Sequence, residues 1–248
     1  MRVIGVIPAR YGSTRLPAKV LAHIQGKPMI QHVWQRAKKS RILDDLVIAC
    51  DDVRIMKAVE RFGGKAVMTS KDHASGSDRI AEAVGSLPVD VVINIQGDEP
   101  LITHTAIDDL GQAMLDDAKC VMATLIKPLQ VQKECENPNV VKVVIDQNKN
   151  ALYFSRSVIP FHLKEISGKA VGYFKHLGIY AYRKQFLLIF TKLPKSSLEK
   201  IEQLEQLRVL EAGYKIKTVM TDAETMSVDT QEDLTKVEEF LNKGQRHG

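Results

Sequence analysis

A chain of 248 residues, 44% hydrophobic and 26% charged, carries enough apolar side chain to bury a sizeable core, which excludes a disordered or fibrous protein. Its formal charge of +5 comes from 35 basic residues scattered among 30 acidic ones with no basic arm, so a dedicated nucleic-acid binder is excluded and a mild pull on small anions is expected. Apolar runs stay short of the ~18 residues that span a bilayer, and Arg10 follows residues 3–8 too closely for a secretory signal, so a cytoplasmic location without a membrane partner is expected.

Residues 3–7 read as a first buried strand, and after a polar loop Met29, Ile30, Val33, Trp34 and Ala37 recur at helical spacing. A strand over 46–50 leaves through Asp51-Asp52. Ile55, Met56, Val59 and Phe62 mark a helix stopped by Gly63-Gly64, followed by a short strand over 65–68. Ile80, Ala81 and Val84 form another amphipathic stripe, and residues 91–95 make a central strand that empties into Gln96-Gly97-Asp98-Glu99-Pro100. This alternation predicts stacked βαβ units and an α/β fold with a mostly parallel sheet. Beyond residue 115, strands over 120–125, 140–145 and 178–182 arrive without intervening helices, which predicts a smaller antiparallel extension within about 120–195 of a single domain covering 1–248. A helix over 198–211 carries Leu198, Ile201, Leu204, Leu207 and Leu210; a strand over 216–220 and a helix over 230–241 follow. The widely spaced Cys50, Cys120 and Cys135, with no histidine at ligand intervals, read as reduced packing residues.

The loop after the first strand, from Ala9 through Arg10, Ser13 and Arg15 to Lys19, crowds cations, hydroxyls and Gly12 at the edge of a parallel sheet where ligands bind. Cations and exposed N–H groups are what a triphosphate needs, the alternative being a solvated charged loop. No G-x-G-x-x-G or P-loop spacing is present. Asp98, at a strand end, suits an oxygen ligand for Mg²⁺, or else belongs to a Gly-Asp-Glu-Pro turn. Asp229 reads either as a second acid or as the cap of the last helix, with Glu232 completing a capping box. Ser75-Gly76-Ser77-Asp78-Arg79 opens a helix, either with N–H groups and hydroxyls that meet an anion or a base edge or as a plain helix N-terminus. Arg156, His176 and Tyr180 lie on strand-like segments, with His176 and Tyr180 on one face, either lining a carboxylate and polyol pocket or serving structure.

Taken together, these motifs resemble the 3-deoxy-manno-octulosonate cytidylyltransferases, or CMP-Kdo synthetases, from end to end of the chain. The resemblance rests on Ile7-Pro8-Ala9-Arg10-Tyr11 through Arg15-Leu16-Pro17 and Lys19, Gly26-Lys27-Pro28-Met29-Ile30, Ser75-Gly76 with Arg79, and Gln96-Gly97-Asp98-Glu99-Pro100. It continues through Ala151-Leu152-Tyr153-Phe154-Ser155-Arg156, His176-Leu177-Gly178-Ile179-Tyr180, Leu204-Glu205-Gln206-Leu207-Arg208 and Val228-Asp229-Thr230. It implies a Rossmann-like nucleotidyltransferase fold, a homodimer joined through the antiparallel extension, and transfer of CMP from CTP to an acidic eight-carbon sugar for lipopolysaccharide assembly. It also implies that Arg10, Ser13, Arg15 and Lys19 hold the CTP phosphates, that Ser75 and Gln96 address the nucleotide, and that Asp98 and Asp229 bind Mg²⁺, with Arg10, Lys19 and the two aspartates as the catalytic set. Arg79, Arg156, His176, Tyr180, Glu205 and Gln206 shape the sugar site on the same reading. This chain departs from the family at Ala18-Lys19-Val20, where Gly-Lys-Pro is usual, and at Ser227, where many members carry glycine. Ser227 leaves open an 8-amino sugar or a related sugar acid as the alternative substrate. Sialic-acid or sugar-1-phosphate chemistry on the same fold, and a non-catalytic nucleotide-binding module, are rival readings that the 176–180 and 205–206 segments and the intact Lys19, Asp98 and Asp229 argue against.

Overall fold

A computed structural model describes residues 1–13, 16–129, 131–163 and 172–245 of the protein. The first half alternates as its hydrophobic pattern predicts. Strand β1 (Val3–Ala9) leads through the loop and a single-turn 3-10 helix (Lys19–Leu21) to a small hairpin, β2 (His23–Ile24) and β3 (Lys27–Pro28). Helix α1 (Met29–Ala37), β4 (Asp45–Cys50), α2 (Val53–Arg61), β5 (Lys65–Met68), α3 (Gly76–Val84), β6 (Val91–Asn94) and α4 (His104–Asp116) follow. The second half contains β7 (Met122–Pro128), α5 (Gln132–Glu136), β8 (Lys142–Ile145), β9 (Ala151–Ser155), β10 (Phe174–Arg183), α6 (Lys184–Phe190), α7 (Ser197–Glu202), α8 (Leu207–Glu211), β11 (Lys217–Met220) and α9 (Gln231–Gln245).

The main sheet runs β11-β7-β10-β6-β1-β4-β5, with β8 pairing β10 and β9 pairing β8. It is mixed but mostly parallel, because β9 and β10 run against the other strands. The antiparallel part is not confined to an edge: β10 lies inside the sheet between β6 and β7. Strands β1 and β6 are apolar on both faces because helices cover both. Ile30, Val33, Ile55, Val59, Ile107 and Leu110 from α1, α2 and α4 pack on one side. Ile80, Val84, Phe186, Phe190 and Leu207 from α3, α6 and α8 pack on the other. From β1 the chain moves outward to β4 and β5, then returns to the opposite side of β1 for β6. That reversal leaves a crevice outside the carboxyl ends of β1 and β6, the place where open α/β sheets take ligands. Among the described residues no helix is long and apolar enough to cross a membrane.

Two expectations differ from the structure. A short helix, α5, stands between β7 and β8, where strands without an intervening helix were expected. The helix expected over 198–211 is two short helices, α7 and α8, broken where Gln203 adopts φ 54°. Leucines at every third position fall behind a 3.6-residue turn and drift around the axis, so one straight helix could not bury them all. Breaking the helix buries Leu204 and Leu207 and leaves Ile201 in solvent.

Candidate active site

The crevice is a cleft of about 270 Å³ lined by the loop after β1, the start of α3 and the turn after β6. Each wall has a local cause. Gly97 lets the turn after β6 approach β1, because a Cβ there would stand 2.9 Å from the Pro8 carbonyl oxygen. Asp51, at the end of β4, accepts the Tyr11 N–H at 2.8 Å and fixes the start of the first loop. The same carboxylate accepts from Arg79 Nη2 at 3.1 Å and so ties that loop to α3.

Lys19 is the centre of the charged side. Its Nζ donates to Asp98 Oδ2 at 2.6 Å and to Asp229 Oδ1 at 2.9 Å, joining acids that lie far apart in sequence. Burial opposes the charge on Lys19, but the two carboxylates outweigh it and hold its pKa above the ordinary value. The Val228 N–H donates to the Asp98 carbonyl at 2.9 Å, which docks the segment before α9 onto the turn after β6. Asp229 does not cap α9. Thr230 Oγ1 accepts the Asp233 N–H at 3.2 Å, and the Asp233 carboxylate accepts back from the Thr230 N–H at 3.0 Å, so Asp233 takes the part expected of Glu232. Glu232 instead pairs with Lys236 on the surface at 2.7 Å. With the helix end satisfied by others, the Asp229 carboxylate faces Lys19. Ala18, just before Lys19, sits in the left-handed region at φ 51°, the conformation for which glycine is best suited.

Arg10 is exposed and makes no hydrogen bond or ion pair among the described residues, while Ser13 lines the cleft beside it. Arg15 lies outside the described residues. Ser75 caps α3: its hydroxyl accepts the Asp78 N–H at 3.2 Å, and Asp78 Oδ2 accepts the Ser75 N–H at 3.1 Å. Asp78 therefore already occupies the positive end of that helix, which fits the end for a neutral base edge rather than a phosphate. Gln96 lines the cleft and donates from Nε2 to Asn94 Oδ1 at 3.0 Å.

The residues expected at a sugar divide. Arg79 borders the cleft but is buried, with Nη1 bonded to Thr69 Oγ1 at 2.6 Å and the Ser70 carbonyl at 3.1 Å. Arg156 does not line this cleft; its Nε donates to the Glu202 carbonyl at 2.9 Å and its Nη1 to the Pro138 carbonyl at 3.0 Å. His176 and Tyr180 share a face, their rings 5.3 Å apart, and His176 Nε2 lies 3.0 Å from Thr124 Oγ1. Desolvation pushes the His176 pKa down to about 3, so its ring is neutral. Glu205 Oε2 accepts from Ser77 Oγ at 3.3 Å, and burial raises its pKa. Gln206 is buried with Nε2 unpaired among the described residues, an unusual state for an amide.

Two polar contacts that the sequence did not predict extend these sides. Gln96 reaches Asn94 on the cleft side, and Ser77 reaches Glu205 in the turn before α8. A polar Asn94 inside an apolar strand was the available signal. Glu99, quoted in the motif after β6 but given no role of its own, has Oε2 without a partner among the described residues, and burial, reinforced by Asp98, pushes its pKa up to about 8.

A crevice at the switch point of a mixed sheet, edged with cations, a helix start and paired carboxylates, is the site of a nucleotidyltransferase. The cytidylyltransferase family model matches residues 4–216. The 3-deoxy-manno-octulosonate cytidylyltransferase of Syntrophobacter fumaroxidans is 50% identical over 240 residues, covering 96% of each chain. The enzyme of the same name from Thermodesulfovibrio yellowstonii is 50% identical over 253 residues, covering 98% of this chain and 99% of its own. A solved CMP:2-keto-3-deoxy-manno-octonic acid synthetase complexed with CTP superposes with a TM-score of 0.92 at 44% identity, covering 98% of this chain and 100% of that one. The chain belongs to the cytidylyltransferases, and among them to the 3-deoxy-manno-octulosonate cytidylyltransferase family.

Proposed function

We propose that this protein is a cytoplasmic enzyme that transfers CMP from CTP to 3-deoxy-manno-octulosonate, releasing pyrophosphate, and so supplies the activated sugar for lipopolysaccharide. The observation that carries this reading is the joining of Lys19, Asp98 and Asp229 beside Arg10 and Ser13 at the mouth of β1 and β6, in a chain so similar to relatives of that name. The sugar's anomeric hydroxyl forms the new bond to the α-phosphorus as the bond to the pyrophosphate oxygen breaks, so the protein supplies position and charge rather than a covalent nucleophile. Arg10, Ser13 and Lys19 hold the phosphates; Ser75 and Gln96, with the N–H groups at the start of α3, hold the base.

Asp98 and Asp229 would hold Mg²⁺. The fit is good: both donors are carboxylate oxygens already gathered around one cation, the Lys19 ammonium, and Mg²⁺ sites commonly use one or two carboxylates plus substrate phosphates. When bound, the metal neutralises phosphate charge and acidifies the attacking hydroxyl. On the sugar side the unpaired Gln206 amide, the neutral His176 and Glu205 offer polar groups to a polyol and its carboxylate.

The chain further assembles as a homodimer through the segment after β9, where Phe161 and Leu163 stand 84% and 87% exposed. Sedimentation of wild type against Phe161→Ser/Leu163→Ser tests this; a monomeric wild type overturns it. Pyrophosphate release from CTP and Mg²⁺ with a panel of 2-keto sugar acids, including the 8-amino analogue, tests the activity. Release is expected with 3-deoxy-manno-octulosonate, and none with any panel member overturns the reading.

A further inference from the structure

The Lys19 ammonium occupies the point at which the oxygens of Asp98 and Asp229 converge, 2.6 and 2.9 Å away. This arrangement rests on a short turn: Lys19 opens the 3-10 helix, Ala18 before it is held at φ 51°, and Val20 after it is buried in the core. The lysine is therefore aimed inward by its own backbone. Its carboxylate partners come from two different segments, the turn after β6 and the lead into α9, linked by the Val228–Asp98 backbone bond. Without a cation at their centre, the facing acids would repel one another.

We infer that Lys19 is an exchangeable internal counterion: it holds the acidic pair in register in the nucleotide-free protein, and it yields that place to a divalent cation only when a triphosphate offers its ammonium new oxygens. This inference rests on the reading of Asp98 and Asp229 as the metal pair. It makes metal and nucleotide binding mutually dependent, since each completes the charge balance that the other disturbs. A divalent ion arriving alone must displace an ammonium with nowhere to go. A triphosphate arriving alone meets a lysine still bonded to two acids.

The test is Mn²⁺ binding followed by electron paramagnetic resonance, without CTP, to wild type and Lys19→Met, with thermal melts to establish that each is folded. Lys19→Met should bind Mn²⁺ at least about tenfold more tightly than wild type, because removing one competing unit charge at this range changes affinity by that order or more. Equal affinity, or weaker binding by folded Lys19→Met, overturns the inference. Asp98→Asn separates this from failure of the underlying reading: if it leaves Mn²⁺ affinity of the CTP complex unchanged, the acids are not the metal pair. Should Lys19→Met not fold, the ε-carbon resonance of Lys19 in ¹³C-lysine-labelled wild type decides. It should move when CTP and Mg²⁺ are added together, and stay in place with the same concentration of Mg²⁺ alone; a shift with Mg²⁺ alone overturns the inference.

Discussion

Around the mouth of β1 and β6 the functional side chains are charged, partly open to solvent and held chiefly by one another: Lys19 bridges Asp98 and Asp229, and Arg10 stands apart from any partner among the described residues. Along β10 and the α7–α8 turn they are buried or enclosed and fixed by structure. Thr124 bonds His176, the buried Tyr182 stacks with Tyr180, and the Glu199–Arg208 pair braces the turn that carries Glu205 and Gln206. On the roles proposed above, the contrast follows from what each side would meet. A triphosphate brings charge that can replace the internal ion pairs, so its side can rest in a self-neutralised arrangement. A sugar brings weak, directional groups, which favour a receptor shaped beforehand.

If that contrast is right, the two sides should fail differently. The largest effect falls on the braced side. Arg208 donates to both Glu199 oxygens, at 2.8 and 2.7 Å, and both side chains are buried. Arg208→Ala leaves a buried carboxylate without its counter-charge, with only the Ser196 N–H donating to it, and should cost about 3–5 kcal/mol in urea unfolding; a loss under about 1 kcal/mol would break the comparison. On the charged side, the proposed metal role predicts that Asp98→Asn reduces kcat at least ~100-fold while the melting temperature hardly moves, since a metal's charge stabilisation is worth several kcal/mol. A large stability loss with near-normal turnover would reverse the assignment.

A pH experiment sharpens the same distinction. His176 has a folded pKa of about 3 against an ordinary 6.5, so below pH 6.5 the unfolded chain takes up a proton that the folded one refuses. The stability it contributes is complete above pH 6.5 and is lost as pH falls toward 3. Discounted for the ring's partial exposure, the slope should be about 0.5–1 kcal/mol per pH unit. His176→Gln should remove that part of the slope in denaturation series at several pH values. The smallest effect is at Ala18, whose φ of 51° strains an alanine. Ala18→Gly relieves that strain but loosens the unfolded chain, for a net gain of about 0.5 kcal/mol, read as a small rise in melting temperature.

The charged side was the more legible in sequence. Asp98 and the cations of the first loop, Lys19 among them, follow continuous apolar runs where strands stop, and the alternation of runs located the crevice itself. The braced side was harder to read because its geometry depends on tertiary facts. The break at Gln203 is forced by leucines at a spacing no straight helix could bury, and β10 crosses into the sheet interior between strands distant in sequence. Asp229 was ambiguous for a related reason: Asp, Thr and Asp at 229, 230 and 233 can each serve a helix end, and only the observed bonds give that task to Thr230 and Asp233. Arg156 shows what a motif leaves out. Its motif suggested the sugar site, whereas its guanidinium here is bonded to two backbone carbonyls.

The most direct test of the account is ³¹P nuclear magnetic resonance of CTP, Mg²⁺ and 3-deoxy-manno-octulosonate with the wild-type protein. The account predicts equal growth of pyrophosphate and one phosphodiester signal, only when the sugar is present. Loss of CTP without that phosphodiester, or no change with any 2-keto sugar acid, would contradict it.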